Sequence, residues 1–139
     1  MPFRERHIDV GDADLLVTFG GAGPPLLLLH GPSDLALALA ARVTVVRPQL
    51  RGAEFPDRTM ARDALDVMGD FGYDRFTAVG HDLGARVALR LALDHPGTVV
   101  RLALIGAALP DVRRLTMPHL VADAPPPGLA RAILDLMGL

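Results

Sequence analysis

A carboxylate stands between a predicted strand and a predicted helix, and this arrangement constrains the fold more than any other feature of the sequence. Residues 76–79 form a short, β-prone apolar run, and residues 83–93 carry alanine, valine and leucine at helical spacing. Asp82 therefore occupies a tight strand-to-helix turn. Gly80 and Gly84, two positions before and after it, are the small residues that such a turn requires.

The turn leaves two interpretations of Asp82. Its side chain is expected to leave the sheet and meet the N-terminal end of the following helix, where free N–H groups and the helix dipole favour an ionised carboxylate. Asp82 is then either a nucleophile or an ordinary helix N-cap. An isolated Gly-x-Asp-x-Gly sequence most often represents the second, so other segments have to decide between them.

Two further apolar runs predict buried strands. Residues 26–29 are four leucines followed by His30 and Gly31, and residues 43–46 are Val-Thr-Val-Val. Such runs are typical of strands covered on both faces of a parallel sheet. We expect both strands to lie beside the strand that precedes Asp82.

The elements alternate between strand and helix, which is typical of an α/β three-layer sandwich with a mostly parallel sheet. The other predicted elements are a hairpin of residues 7–10 and 15–19 and helices over residues 33–41 and 59–69. We expect Ser33 or Asp34 to cap the first helix, and Asp57 or Thr59 to start the second.

Composition excludes several classes of protein. The chain has 139 residues, half of them hydrophobic, so we predict a single domain over residues 1–139. The absence of cysteine excludes disulfides and thiol catalysis. The 14 cationic residues are scattered arginines and the net charge is −2, so we expect no nucleic-acid partner. With no long apolar run and no signal-peptide pattern, we expect a cytoplasmic protein that does not bind membranes.

Four ordered motifs resemble those of the α/β-hydrolase superfamily. They are Leu-Leu-Leu-His-Gly at 27–31, Leu-Arg-Gly at 50–52, Gly-His-Asp-Leu-Gly-Ala-Arg-Val-Ala at 80–88 and Leu-Ala-Leu-Asp-His-Pro at 91–96. They are most similar to the branch of haloacetate dehalogenases, haloalkane dehalogenases and epoxide hydrolases, in which Asp replaces Ser at the turn. The resemblance implies a minimal α/β-hydrolase core without a cap.

The resemblance also implies a two-step reaction. Asp82 would attack an electrophilic carbon, displacing a halide or opening an epoxide, and form an alkyl ester. His119 would take a proton from the water that hydrolyses the ester. The N–H groups of Leu83 and of the residue after Gly31 would stabilise the oxyanion, with His30 in the same loop.

The C-terminal segment also resembles the family. Residues 111–125 are similar to the last strand and the following loop, and residues 126–138 would form the final helix. We expect His119 at the carboxyl ends of the strands, on the same edge of the sheet as Asp82.

Three departures from the family pattern affect catalysis. Gly106 stands at the position of the triad acid, for which Asp111 or Asp123 are the available substitutes. Pro32 follows the His-Gly pair and has no N–H to donate. The cap between the sixth strand and the tail is absent. We therefore expect any activity to be slow and to stop at the ester.

Arg86 lies one helical turn beyond Asp82. The resemblance implies that it helps to hold a substrate carboxylate, and the alternative is an i,i+4 ion pair with Asp82 or a solvent contact on the side of Arg90. His30 and His81 are expected to order loops. No pair of histidines has the spacing of a metal site, so we predict neither a metal nor another cofactor.

Two functions stay open at this point. The chain is either a hydrolase with an Asp nucleophile and a small-molecule substrate, or a truncated or designed hydrolase core that folds without turnover. A serine esterase is disfavoured because Ser33 is the only serine. A shortened parallel sheet would expose an edge, and a homodimer through that edge is one way to cover it.

Overall fold

The computed structural model describes residues 3–106, 109 and 111–139. Its strands are β1 (Phe3–Asp9), β2 (Asp14–Gly20), β3 (Pro25–Leu29), β4 (Thr44–Pro48), β5 (Phe76–His81), β6 (Val99–Ile105) and β7 (His119–Ala122). Its helices are α1 (Ser33–Ala40), α2 (Asp57–Asp70), α3 (Leu83–Asp94) and α4 (Leu129–Leu136), with a 3-10 turn at Val112–Arg114.

The seven strands form one sheet in the order β1-β2-β4-β3-β5-β6-β7. β1 and β2 run antiparallel to each other, and β2 runs antiparallel to β4. The remaining neighbours are parallel, which confirms the predicted α/β class. β3 lies beside the strand that precedes Asp82, as expected, whereas β4 pairs with β3 and lies one strand further away.

The N-terminal hairpin is confirmed and is longer than predicted. β1 begins at Phe3, and the pairing closes at Asp9 opposite Asp14. Gly11 adopts a φ of 107° in the turn, and its N–H donates to the Asp9 carboxylate at 2.7 Å. Glycine adopts such a backbone conformation without a steric penalty, which suits this turn to a short connection.

The sheet divides the core into two halves. Successive side chains of a strand point to opposite faces, so Leu27 and Leu29 of β3 pack towards α2 and α3, while Leu26 and Leu28 pack towards α1 and α4. All four leucines are essentially inaccessible to solvent. This double coverage explains why β3 is a continuous run of apolar residues.

The helix starts differ from the sequence predictions in detail. α1 begins at Ser33, but neither Ser33 nor Asp34 caps it: Pro32 is the N-cap, and its carbonyl accepts the Ala36 N–H at 3.1 Å. α2 begins at Asp57, one of the two predicted starts. α4 begins three residues later than predicted, after Gly128 in a left-handed conformation with a φ of 70°.

One edge of the sheet is formed by β7, which has only four residues. Leu120 packs against the α1 and α4 half of the core, whereas Val121 points away and is 43% exposed. The expected homodimer through such an edge stays a prediction. Within the part of the chain that the structure describes, no helix has the length and apolar character needed to cross a membrane.

Candidate active site

Asp82 forms the strained turn between β5 and α3. Its φ of 55° and ψ of −117° lie outside the regions that L residues ordinarily occupy, at a cost on the order of 1–3 kcal/mol. The Asp82 N–H donates to the Ile105 carbonyl at 2.9 Å, which ties the turn to the end of β6. Asp82 is the N-cap residue of α3, and its carbonyl accepts the Ala85 N–H at 3.0 Å, but its carboxylate makes no capping hydrogen bond to the helix.

The two flanking glycines make room for this turn. A Cβ atom at Gly80 would overlap the backbone of Gly84 and Ala85, and one at Gly84 would overlap the carbonyl group of Leu29. Backbone atoms cannot move away without shifting β3 or α3. The requirement for small residues on both sides of Asp82 therefore follows from close contact between the helix and the two strands.

The Asp82 carboxylate faces solvent, with 67% of the side chain exposed. Its Oδ2 lies 3.2 Å from Nδ1 of His81, the last residue of β5. Its Oδ1 lies on the side of Gly106, 2.6 Å from where a Cβ atom would stand at that residue. The resemblance assigns the triad acid to position 106. Because Gly106 has no side chain, the Asp82 carboxylate occupies the space that a side chain there would need.

The loop after β3 holds the residues that the resemblance assigns to an oxyanion site. His30 is exposed and has a φ of 61°, and Gly31 is buried, with its carbonyl accepting a hydrogen bond from Arg47 at 2.9 Å. Pro32, which follows, has no N–H. Leu83 opens α3, and among the described residues its N–H has no acceptor, so it is free to donate to an oxyanion.

Arg86 forms an ion pair with Asp57 and not with Asp82. Its guanidinium donates to the carboxylate of Asp57 at 3.0 Å and so joins the first turns of α2 and α3. The alternative of an i,i+4 pair with Asp82 is wrong. Arg86 and Asp57 line an open cleft of about 180 Å³ beside Leu89 and Leu93, and Asp82 lies outside this cleft.

The expectation that His119 lies at the same edge of the sheet as Asp82 is also wrong. His119 is the first residue of β7 and pairs with Leu102, whereas the chain reaches the level of Ile105 only at Ala122. This places His119 about 10 Å back along the strand direction. Its Nδ1 lies 3.0 Å from the Met117 carbonyl oxygen. The strand pairing of residues 119–122 thus carries the imidazole away from Asp82.

The two substitute acids do not replace the triad acid either. Asp111 lines the cleft beside Arg86, and its carboxylate lies 3.9 Å from Arg114. Asp123 follows β7 and is exposed, and its backbone oxygen, not its carboxylate, faces Gly106. Neither residue contacts a histidine near Asp82 among the described residues.

The clear pKa shifts lie in ion pairs that anchor α2. A hydrogen bond from Arg51 lowers the pKa of Asp12, and the same guanidinium donates to the buried Asp63. A hydrogen bond from Arg58 lowers the pKa of Asp94 at the end of α3. These pairs fix the hairpin turn and α3 relative to α2, and among the described residues no arginine pairs with the carboxylate at the elbow (residues 80–84).

Comparison with known proteins agrees with this geometry. A family model described as the alpha/beta hydrolase family matches residues 26–138, which is most of the chain. The chain belongs to the alpha/beta hydrolase family. The elbow of this alpha/beta hydrolase, with its flanking glycines and following helix, lies inside the matched region.

Individual relatives narrow the comparison. A fluoroacetate dehalogenase of a Burkholderia species is 42% identical over 123 residues, covering 74% of this chain and 40% of the relative. A soluble epoxide hydrolase of Corynebacterium sp. (strain C12) is 38% identical over 100 residues, covering 61% and 35%. The solved structure of a candidate epoxide hydrolase from Pseudomonas aeruginosa has a TM-score of 0.70 at 38% identity, covering 76% of this chain and 42% of that one. The alpha/beta hydrolase described here thus spans about 40% of the length of these relatives.

The expectation that His81 orders a loop does not include its contact with the Asp82 carboxylate. Its position immediately before Asp82, at the end of a strand, was the available signal. Neighbouring side chains of an extended strand point to opposite faces, and only the positive φ of Asp82 turns its carboxylate back towards the imidazole. In this alpha/beta hydrolase the contact between His81 and Asp82 therefore depends on the strained turn.

Proposed function

We propose that the chain is a hydrolase of the haloacetate dehalogenase, haloalkane dehalogenase and epoxide hydrolase type, in which Asp82 is the nucleophile. The observation that carries the proposal is the exposed Asp82 carboxylate on a strained elbow at the N-terminal end of α3. A carboxylate with a purely structural role at this place would accept a hydrogen bond from the first turn of α3, and the Asp82 carboxylate accepts none there. The names of the dehalogenase and epoxide hydrolase relatives support the same class of small electrophilic substrate.

In the proposed first step, an oxygen of Asp82 forms a bond to an electrophilic carbon. With a haloacetate or haloalkane, the carbon–halogen bond breaks and the halide leaves with its electron pair. With an epoxide, a carbon–oxygen bond of the ring breaks and the alkoxide takes a proton from water. The product in each case is an alkyl ester of Asp82.

The second step, hydrolysis of the ester, is the slower one in this chain. It needs a base to take a proton from water, and His119 lies about 10 Å back along β7 from the level of the elbow. It also needs hydrogen-bond donors for the oxyanion, and Pro32 provides none. We therefore propose that the ester accumulates.

The alternative function is a hydrolase core that folds without turnover. Three observations favour it: Pro32 in the oxyanion loop, Gly106 at the acid position and His119 at the start of β7. The two functions differ in the first step, because a core without an active nucleophile forms no ester.

Intact-mass spectrometry separates the two functions. The purified chain is incubated with bromoacetate, a short bromoalkane and a small epoxide, and the modified residue is located by peptide fragmentation. We expect one adduct on Asp82 of the wild-type chain and none on Asp82→Asn, because an amide is a poor nucleophile. The chain has no cysteine, so thiol alkylation does not interfere.

The matched control is Asp66→Asn, which makes the same chemical change at an exposed position of α2. It should be labelled like the wild type. An adduct that survives Asp82→Asn would contradict the proposed nucleophile, and the absence of any adduct on the wild-type chain would favour the inactive core.

A further inference from the structure

His81 holds one particular oxygen of the nucleophile. Its Nδ1 lies 3.2 Å from Asp82 Oδ2, and 17% of its side chain is exposed. An ionised carboxylate offers only acceptors, so the geometry assigns the proton of the imidazole to Nδ1. The backbone of His81 pairs with Ile105 in the sheet, which holds the donor in place.

The two oxygens of Asp82 therefore differ. Oδ2 accepts the hydrogen bond from His81, whereas Oδ1 lies against the open side of Gly106 and has no donor among the described residues. The oxygen that accepts no hydrogen bond is the better nucleophile of the two, because no donor draws on its electron density. Oδ1 is the oxygen that forms the ester bond, and Oδ2 becomes the carbonyl oxygen of that ester.

We propose that His81 is a side-chain oxyanion donor, a role that rests on the proposed function because it acts on the Asp82 ester. When a nucleophile adds to Cγ of the ester, the electron pair of the carbonyl bond moves onto Oδ2. That is the oxygen to which His81 Nδ1–H donates. The imidazole thus supplies a hydrogen bond in a site where Pro32 has no N–H, alongside the N–H of Leu83.

The other nitrogen of His81 excludes a role as the base. Nε2 is buried and has no hydrogen-bond partner within the described residues. Nδ1 already carries its proton, so neither nitrogen of the neutral ring can take a proton from attacking water. His81 acts as a donor only, which agrees with an ester that forms and accumulates.

Cleavage of the ester by hydroxylamine tests this role without needing a protein base. Wild-type, His81→Leu and His81→Asn chains are labelled with bromoacetate, freed of reagent and treated with hydroxylamine under native conditions. The hydroxylamine nitrogen bonds to Cγ, the ester carbon–oxygen bond breaks, and glycolate leaves behind a hydroxamate that intact mass detects. Asn retains an amide donor near the position of Nδ1, whereas Leu has none.

We expect cleavage of the His81→Leu adduct to be roughly 10²-fold slower than that of the wild type, the low end of what loss of one oxyanion donor costs. His81→Asn should recover most of the rate. His7→Leu, at an exposed position of β1, is the matched control and should cleave like the wild type. In denaturant all adducts should cleave at one rate, because the donor is then no longer positioned.

Equal native cleavage rates for wild type and His81→Leu overturn the role of His81 while leaving the Asp82 ester intact as a finding. No adduct on the wild-type chain, together with no release of bromide from bromoacetate, overturns the proposed function and this role together. If the wild-type ester hydrolyses in water, its lifetime in water replaces the hydroxylamine rate and should lengthen in His81→Leu. If His81→Leu does not fold, His81→Gln takes its place, because its longer side chain carries the amide away from Oδ2.

Discussion

The elbow and the tail after β6 differ in how they position a predicted site residue. At the elbow, Asp82 is positioned by two glycines, by the first turn of α3 and by a hydrogen bond to Ile105, all within adjoining elements. In the tail, the place of His119 depends on how residues 111–122 return to the sheet, where residues 119–122 pair as β7 beside β6. A site residue whose geometry is built locally keeps its place, whereas one carried by a long connection does not.

The largest expected effect comes from filling the elbow. Gly84→Ala puts a methyl group into the backbone carbonyl of Leu29, so we expect the free energy of unfolding to fall by about 3 kcal/mol or more, the upper end of the cost of overpacking. Urea unfolding followed by circular dichroism measures the change.

The controls for this variant come from both regions. Gly69→Ala, in α2, meets no atom within 4 Å and should raise the free energy of unfolding by about 0.5–1 kcal/mol. His119→Asn, in the tail, should change it by no more than about 0.5 kcal/mol because the side chain is exposed. If Gly84→Ala has the same free energy of unfolding as the wild type, the elbow accommodates a Cβ atom at this position and is not rigid.

An intermediate effect is expected where the two regions meet. Gly106→Ala would place its Cβ 2.6 Å from Asp82 Oδ1 and would hold alanine at a φ of 85°. We expect the strained backbone to cost about 1–2 kcal/mol and the Cβ to slow labelling of Asp82 by bromoacetate. Intact mass against time gives the labelling rate.

Gly128→Ala separates the two causes. It imposes alanine at a φ of 70° with no atom within 4 Å of the new Cβ. It should therefore lower stability to a similar extent and leave the labelling rate unchanged. Equal labelling of the two variants would show that Gly106 does not shape the space beside the nucleophile.

The smallest effect concerns the ion pair between Arg58, at the start of α2, and Asp94, at the end of α3. The hydrogen bond from Arg58 holds the pKa of Asp94 below its ordinary value of 3.8. A lowered pKa in the folded state means that the pair stabilises the fold above pH 4 and that this contribution disappears as the pH falls through the lowered pKa. Arg58→Gln should therefore lower the urea midpoint slightly at pH 7, and the difference from wild type should shrink towards pH 2.

Arg62→Gln removes the same charge one turn further along α2 and is the control for net charge. Its difference from wild type should be smaller at pH 7 than that of Arg58→Gln. Two identical pH profiles would attribute the effect to overall charge and not to the contact with Asp94.

The sequence predicts the parts of the fold that depend on short-range patterns. Four leucines covered on both faces form β3, and the glycines around Asp82 allow the elbow. Both were predictable because the pattern of apolar residues and the turn residues each lie within a few consecutive positions. The partner of Arg86 was not predictable in the same way, since Asp57 lies 29 positions away in sequence and meets it only when α2 packs beside α3.

The placement of His119 failed for a related reason. A segment of four residues such as 119–122 can be a loop or a strand, and which it becomes depends on whether β6 offers an unpaired edge at that level of the sheet. That edge is a property of the whole sheet order. The residue types around His119 therefore do not predict where residues 119–122 pair with β6, and neither does a motif taken from longer relatives.

The division of the core into two halves has a consequence for synthesis. The half that contains Leu26, Leu28 and Val79 is closed partly by Ile133 and Leu134 of α4, which is the last element described along the chain. A ribosome therefore releases β3, the centre of the sheet, long before one of its coverings exists. During that interval the nascent chain presents an apolar sheet face, which makes it a natural substrate for chaperones that bind apolar segments as they emerge.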